Sequence, residues 1–159
     1  MKIDNTDFPD LNLPIQQIRI KRLENGKYQV FDGLRRKFVA LTPEEWVRQN
    51  FVRFLIKHRG YPASLMANEI SIMQNGINRR CDTIVADKNG IPYVIIEYKA
   101  PNIVISQKVF DQIVRYNMVL RAQYLMVSNG LSHFCCKMDY SNNSYLFLKD
   151  IPVYAELFS

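Results

Sequence analysis

Polar and apolar residues alternate along much of the segment 15–40, and a period of two is typical of β-strands. Two such stretches, residues 18–21 and 27–31, flank Glu24-Asn25-Gly26, an arrangement that predicts a hairpin. Residues 37–40 predict a short third strand. The chain is therefore expected to begin its ordered structure with a small antiparallel sheet.

After this segment the apolar positions recur every three to four residues, which predicts an amphipathic helix. Thr42 is a suitable N-cap, Pro43 fits the first helical position, and Glu45 stands where a capping box places its acid. Gly60, followed by Tyr61-Pro62, predicts the end of this helix.

The period of two returns from residue 69 and is interrupted by one more helix, which Ser106 is expected to cap. The predicted helix covers 106–121, and the predicted strands cover 69–74, 81–86, 92–99, 124–128, 133–138 and 144–148. The 92–99 strand is the most apolar and is expected at the centre of the sheet. Its crossover through the helix predicts a parallel pair with 124–128.

These elements predict an α/β fold, with a mixed β-sheet flanked by helices and preceded by a β-hairpin extension. The 159 residues suit one compact unit, with residues 1–40 as the extension and 41–159 as the main domain. Residues 1–14, which include two prolines and three aspartates, predict an irregular lead-in.

Composition narrows the class of protein further. No run of about 18 apolar residues is present, so no membrane span is expected. The N-terminus lacks an apolar signal region, and the three cysteines show no CxxC spacing. Buried, reduced thiols and a cytoplasmic location are therefore expected.

Lys and Arg outnumber Asp and Glu, giving a formal charge of +6 that suits nucleic acid or a small anionic substrate. Much of this charge falls in the extension and just before Asp82. The candidate phosphate contacts are Arg19, Lys21, Arg35, Arg36, Arg79 and Arg80. For those in the extension, a solvated strand face is the alternative interpretation.

The strand that ends at Glu97-Tyr98-Lys99 carries the most specific chemistry. The period of two places Glu97 and Lys99 on one face. If Asn89-Gly90 is a two-residue hairpin loop, Lys88 faces Ile91 and Asp82 faces Glu97. Two carboxylates this close require a positive charge between them, from Lys99 or from a divalent cation. A salt bridge at a sheet edge is the alternative.

The same pairing rule applied to Asn75-Gly76 places Glu69 opposite Asp82. Three acids would then lie in one row across three strands. Glu69 is accordingly predicted to support the site, with an ordinary surface position as the alternative.

Asp82 followed by Glu97-Tyr98-Lys99 resembles the D…ExK signature of the PD-(D/E)xK nuclease superfamily. More specifically, the chain is similar to the small nuclease domain at the N-terminus of type I restriction enzyme motor subunits. The stretches that carry this resemblance are 42–49, 60–62, 79–82, 96–101, 128–130 and the QxxxY motif of Gln112 and Tyr116. Cys81 replaces the proline of the signature, a departure that changes no ligand.

The resemblance implies a restriction-endonuclease-like fold and metal-dependent hydrolysis of DNA phosphodiester bonds. Asp82 and Glu97 would bind Mg²⁺ or Mn²⁺, and Lys99 would orient or deprotonate the attacking water. Gln112 and Tyr116 would steady this site. Glu45 would reach the metal shell, as a first-helix glutamate does in some members, unless the capping box occupies it.

DNA is the implied partner, together with a restriction-type subunit or a second copy of the chain. No GxxxxGK[ST] motif is present, so ATP-driven translocation is not expected of this chain. Two alternatives stay open. One is a catalytically silent module of the same fold that binds DNA or assembles with a partner, and the other is an RNA-processing nuclease.

Overall fold

A small antiparallel sheet stands at the start of the computed structural model, which describes residues 7–159. Its strands are β1 (Ile20–Arg22), β2 (Tyr28–Asp32) and β3 (Lys37–Ala40), in the order β1-β2-β3. This confirms the predicted hairpin and the third strand. The predicted lead-in is without helix or strand from Asp7 onward, and its first six residues lie outside the described part of the chain.

Helix α1 (Pro43–His58) begins as predicted, because the backbone N–H of Glu45 donates to the Thr42 hydroxyl at 3.1 Å. The reciprocal half of the predicted capping box is absent among the described contacts. The Glu45 carboxylate instead accepts hydrogen bonds from Arg35 and Gln49, so a cation draws it away from the helix end. Gly60 follows the helix with a φ of +70°, a conformation that glycine adopts without strain.

The main sheet has six strands in the order of the chain, with one parallel pair between β6 and β7. Helix α2 (Gln107–Met118) makes the crossover, and its N-cap is Ser106 as predicted. The strands are β4 (Met66–Gln74), β5 (Ile77–Ala86), β6 (Pro92–Tyr98), β7 (Tyr124–Ser128), β8 (His133–Asp139) and β9 (Ser144–Phe147). The mixed sheet, the interior position of β6 and the parallel pair all confirm the prediction.

The two helices cover opposite faces of this sheet. Val94, Ile96 and Tyr98 of β6 belong to one apolar cluster together with side chains of α1. Ile95 belongs to a second cluster, which includes Ile113 of α2. Alternation along β6 therefore places Glu97 and Lys99 on the α2 face, and this sidedness positions the candidate site.

The three cysteines are buried, and none of them forms a disulfide. Burial raises the pKa of Cys81 to about 11, and the neighbouring charges of Asp82 and Glu97 act in the same direction. Burial raises the pKa of both Cys135 and Cys136 to about 12. All three thiols are therefore protonated at neutral pH. No helix of residues 7–159 is long and apolar enough to cross a membrane.

Candidate active site

An open cleft of about 370 Å³ lies between the end of β6 and helix α2. Two apolar side chains, Val109 and Ile113, form part of its wall. The polar side chains that line it are Arg80, Glu97, Lys99, Gln112 and Tyr116. Five polar residues from three separate segments of the sequence therefore line one cleft.

Glu97 and Lys99 lie on the same face, as the period of two predicts. The ammonium Nζ of Lys99 is 3.7 Å from Oε2 of Glu97. The backbone N–H of Lys99 donates to the Ser128 carbonyl at 2.9 Å, which extends the parallel pairing past the end of β6. Tyr98, between them, points to the other face, where its hydroxyl donates to Thr83 at 3.0 Å.

Asp82 is joined to the end of β6 by its side chain. The backbone N–H of Tyr98 donates to Oδ2 of Asp82 at 2.9 Å. The preceding pairs, from Thr83 opposite Ile96 to Val85 opposite Val94, have the predicted register, which places Asp82 beside Glu97. The two carboxylates therefore meet where β5 and β6 stop pairing.

The predicted pairing next to the loop was wrong by one residue. The backbone N–H of Asp87, rather than that of Lys88, donates to the Ile91 carbonyl. A bulge between Val85 and Ala86 then restores the predicted register further along the strands. Bulges of this kind absorb one extra residue without displacing the strand that follows.

The β4–β5 ladder also has the predicted register, since Asn68 faces Thr83 and Ile70 faces Cys81. Glu69 and Asp82, which lie between these two pairs, do not pair with each other. Glu69 has a φ of +54°, a conformation that is uncommon for a residue with a side chain. Its carboxylate contacts Arg48 and Arg80, so it belongs to an ion-pair network beside the predicted row of acids.

Burial changes the acidity of both carboxylates at the strand ends. It raises the pKa of Asp82, although the Tyr98 hydrogen bond and the charge of Arg48 oppose the shift. It also raises the pKa of Glu97, where the charge of Lys99 opposes the shift and that of Asp82 adds to it. Within the described residues, neither acid has a cation close enough to offset its burial fully.

Arg48 is a site residue that sequence reasoning missed. It is 6 % exposed, and its guanidinium donates to the Asp82 carbonyl at 2.7 Å and to Oε1 of Glu69 at 2.6 Å. Its Nε lies 3.0 Å from Oε2 of Glu45. One buried cation therefore joins α1 and β4 to the backbone of Asp82. A buried helix face carrying an arginine between apolar residues is the signal that could have identified it.

Asn117 was missed as well. It is buried one residue after Tyr116, and its side chain acts to lower the pKa of Glu97. Gln112 and Tyr116 lie one turn apart on α2, as predicted, and Tyr116 is 43 % exposed at the edge of the cleft. Helix α2 thus presents two exposed polar side chains to the cleft, while its buried Asn117 acts on Glu97.

The predicted phosphate contacts divide into exposed and buried groups. Arg19, Lys21 and Arg36 are exposed on or beside the small sheet, and Arg80 is exposed at the cleft. Arg79 stacks on the Tyr116 ring, with its guanidinium carbon 4.4 Å from the centroid. All five are positioned on accessible or partly accessible surface.

Arg35 does not fit the predicted phosphate role. Its guanidinium pairs with Asp32 and, at 2.7 Å, with Glu45. Asp32 is 1 % exposed, and burial alone would raise its pKa, but the hydrogen bonds from Asn68 and Arg35 lower it. Arg35 is therefore committed to two acids by the cost of burying them unpaired.

Asp82 and Glu97 are the residues that could hold a metal ion. Their partly buried carboxylates meet the preference of a hard cation for oxygen ligands, and a divalent charge would offset their burial. Among residues 7–159, no group of three His, Cys, Asp or Glu side chains is arranged around one point. A cation at this pair would need further oxygen ligands from the backbone, water or a substrate.

Comparison with solved structures finds a similar fold. A fragment assigned as an HsdR subunit of a type I restriction enzyme from Vibrio vulnificus YJ016 aligns with a TM-score of 0.53 and 20% identity. The alignment covers 72% of this chain and 24% of that one, so the chain spans about a quarter of that structure. A cryo-electron-microscopy structure of a DrdV–DNA complex aligns at 16% identity and a TM-score of 0.44, over 72% of this chain and 11% of that one.

Comparison with curated proteins finds no match to the chain. Comparison with protein families finds a match over residues 43–152, from the start of α1 to beyond β9. That family is described as Type I restriction enzyme R protein N terminus (HSDR_N). Because the match covers more than half of the chain and includes every residue of the cleft, the chain belongs to the family of type I restriction enzyme R protein N termini.

Proposed function

We propose that this domain hydrolyses phosphodiester bonds in DNA with the help of Mg²⁺ or Mn²⁺, through Asp82, Glu97 and Lys99. The observation that carries the proposal is the meeting of two partly buried carboxylates and a lysine at the ends of β5 and β6, beside the cleft that Glu97 and Lys99 line. The pKa of each carboxylate is raised by burial, and among residues 7–159 only Lys99 stands within ion-pair distance of Glu97. Such a cluster destabilises the folded state unless a cation binds there and offsets the buried charges.

The metal would polarise the phosphate and lower the pKa of a bound water. Asp82 and Glu97 would hold it, and the hydrogen bond from the Tyr98 amide would keep Oδ2 of Asp82 aimed across the strand ends. Lys99 would use Nζ to orient that water or to offset negative charge on the phosphate in the transition state. Its backbone bond to Ser128 holds the start of its side chain in place.

The remaining cleft residues would contact the DNA backbone. Arg80 and Gln112 line the opening, and Arg79 is held against the Tyr116 ring. Arg19, Lys21 and Arg36 would extend the positive surface onto the small sheet. Cations of this kind position a nucleic acid through its phosphates and do not read its sequence.

The test is cleavage of linear, circular and single-stranded DNA by the purified protein in Mg²⁺ or Mn²⁺. We expect wild type to cut at least one of them, and Lys99→Ala to lose most of the rate while still binding Mn²⁺. Lys108→Ala is the matched control, since this lysine is exposed on α2 and does not line the cleft. Cleavage by Lys99→Ala at the wild-type rate would refute the proposal.

Metal titration distinguishes catalysis from a silent module of the same fold. We expect Mn²⁺ binding that is lost in both Asp82→Asn and Glu97→Gln. If Mn²⁺ does not bind and no DNA is cut, the domain is better described as a module that binds DNA or a restriction-type partner. Cleavage of RNA in place of DNA would keep the chemistry and change the substrate.

A further inference from the structure

A second open cleft, of about 510 Å³, lies between residues 16–20 and helix α1. Its polar wall consists of two arginines, Arg19 and Arg53, together with Gln16 and Gln17. The Trp46 ring forms part of the same wall. Among residues 7–159, no carboxylate lines this cleft, so the positive charge of its two arginines is not offset by this lining.

Arg53 is the unusual member of this group. Within residues 7–159 its guanidinium forms no ion pair, and its Nε is buried without a hydrogen-bond partner. Arg53 also borders a smaller cleft that contains Asp32, but that carboxylate already accepts from Arg35 and Asn68. The fold thus brings a guanidinium to the edge of a cleft and leaves its Nε buried without a partner, which is costly without a ligand.

Arg19 is held differently, and within residues 7–159 it also forms no ion pair with an acid. Its guanidinium carbon lies 5.0 Å from the centroid of the Phe31 ring and 5.4 Å from that of Phe38. These ring contacts orient the side chain and leave its N–H groups available. Arg35, Arg48 and Arg80 each pair with glutamate or aspartate, whereas within residues 7–159 the two arginines of this cleft form no ion pair.

We propose that Arg19 and Arg53 form a phosphate-binding site separate from the cleft at Asp82 and Glu97. A guanidinium presents parallel N–H donors that match the oxygens of a phosphate group, and the amides of Gln16 and Gln17 add neutral donors. The phosphate would come from the backbone of a nucleic acid or from a free nucleotide. The site does not require metal or cleavage, so it stands independently of the proposed function.

Trp46 provides a direct probe, because it is the single tryptophan of the chain and lines this cleft. The Lys99→Ala protein in EDTA would be titrated with inorganic pyrophosphate and, separately, with a short DNA duplex. Binding would be followed by calorimetry and by Trp46 fluorescence. We expect both probes to change the fluorescence, and Arg53→Gln and Arg19→Gln each to weaken binding about tenfold.

For the duplex, each variant should also lower the slope of log affinity against log salt concentration by about 0.9, the value for one lost phosphate contact. Lys57→Gln is the matched control, since it removes one positive charge from α1 at an exposed position that does not line the cleft. It should leave pyrophosphate binding unchanged. Arg53→Lys, which keeps the charge and loses the paired donors, should lie between wild type and Arg53→Gln.

The two probes distinguish the sources of the phosphate. Competition between pyrophosphate and duplex for one site supports the nucleic-acid backbone, and binding of pyrophosphate that the duplex cannot displace supports a free nucleotide. The proposal is overturned if both arginine variants bind both probes as wild type does, or if Lys57→Gln loses as much affinity as they do. If Arg53→Gln does not fold, Arg19→Gln decides the question alone.

Discussion

The backbone amide of Tyr98 donates a hydrogen bond of 2.9 Å to Oδ2 of Asp82, so β6 itself positions the carboxylate that ends the pairing of β5. Glu97 precedes this amide in the chain. One peptide segment therefore contributes one acid and orients the other. The Asp82 carboxylate is therefore positioned by the backbone of the neighbouring strand.

Asp82→Asn should separate the charge of this residue from its hydrogen bond. Asparagine can still accept from the Tyr98 amide, so we expect the variant to fold and to lose Mn²⁺ binding. Because burial raises the pKa of Asp82, removing its charge should leave the metal-free protein as stable as wild type, or more stable by about 1 kcal/mol. Asp82→Ala loses the hydrogen bond too and should be less stable than Asp82→Asn by about 1 kcal/mol. Calorimetric Mn²⁺ titration and urea unfolding measure both quantities, and Mn²⁺ affinity retained by Asp82→Asn would contradict the expectation.

The raised pKa values of Asp82 and Glu97 also predict how stability depends on pH without metal. The folded state binds protons at these groups more tightly than the unfolded state does, so their contribution to the free energy of unfolding falls as pH rises from about 4 through the raised pKa values. Glu69 behaves in the opposite sense. Burial acts to raise its pKa, but the hydrogen bonds and charges of Arg48 and Arg80 lower it.

Urea unfolding at a series of pH values checks this sign. The free energy of unfolding of wild type, relative to that of the Asp82→Asn/Glu97→Gln double variant, should fall as pH increases. Relative to Glu69→Gln, the free energy of unfolding of wild type should rise as pH rises through the lowered pKa of Glu69. A flat difference for the first pair would show that burial of the two carboxylates has no energetic consequence.

Arg48→Met should be strongly destabilising, because it leaves Glu45 and Glu69 buried or half-buried with less compensation. We expect a loss of about 3–5 kcal/mol in the free energy of unfolding. Arg80→Met is the control, because Arg80 also pairs with Glu69 but its side chain is 72% exposed, and it should cost at most about 1 kcal/mol. Adding Glu45→Gln and Glu69→Gln to Arg48→Met should recover part of the loss. Equal costs for the two arginine variants would contradict the assigned role of Arg48.

Gly130→Ala tests how the N-terminal lead-in packs against the main sheet. Gly130 has a φ of +85°, and a Cβ there would lie 2.6 Å from Cδ2 of Leu11. Its carbonyl also accepts from the backbone N–H of Asn12 at 2.9 Å. We expect Gly130→Ala to cost about 1–3 kcal/mol by urea unfolding. Leu11→Ala in the same chain should remove the clash and leave the strain of the backbone, so the double variant should recover only part of the cost.

His133 also joins the lead-in to the main sheet, and this contact is sensitive to pH. Its Nε2 lies 2.8 Å from the Asn12 carbonyl, which can only accept, and its Nδ1 lies 2.7 Å from the Ser128 hydroxyl. Burial lowers the pKa of His133, although the bond to Asn12 opposes the shift. The unfolded state therefore binds the proton first, and stability should fall as pH drops from about 6.5 to the lowered pKa. His133→Gln should flatten this part of the pH profile, and an unchanged profile would contradict it.

Much of the fold could be predicted from the sequence because it depends on local pattern. Helix α1 begins at Thr42 as its capping residues predict, and the two-residue turn at Asn75-Gly76 sets the register of β4 and β5. The placement of Glu97 and Lys99 on one face follows from the period of two along β6. The cleft shared by Glu97, Gln112 and Tyr116 follows from the crossover that lays α2 over that face.

What the sequence determined by itself was the order of the elements, the register near Asp82 and the residues of the cleft, since each depends on spacing along a few neighbouring residues. Only the tertiary structure decided where the charges go. Arg48 is 34 residues from Asp82 in the chain, and Arg35 is ten from Glu45, yet each pair meets in the fold. No periodic pattern encodes such pairs, because the cost of leaving a buried ion unpaired arises only once the interior has formed. That cost commits Arg35 and Arg48 to acids, while the cleft beside Arg19 and Arg53 brings them no acid from residues 7–159.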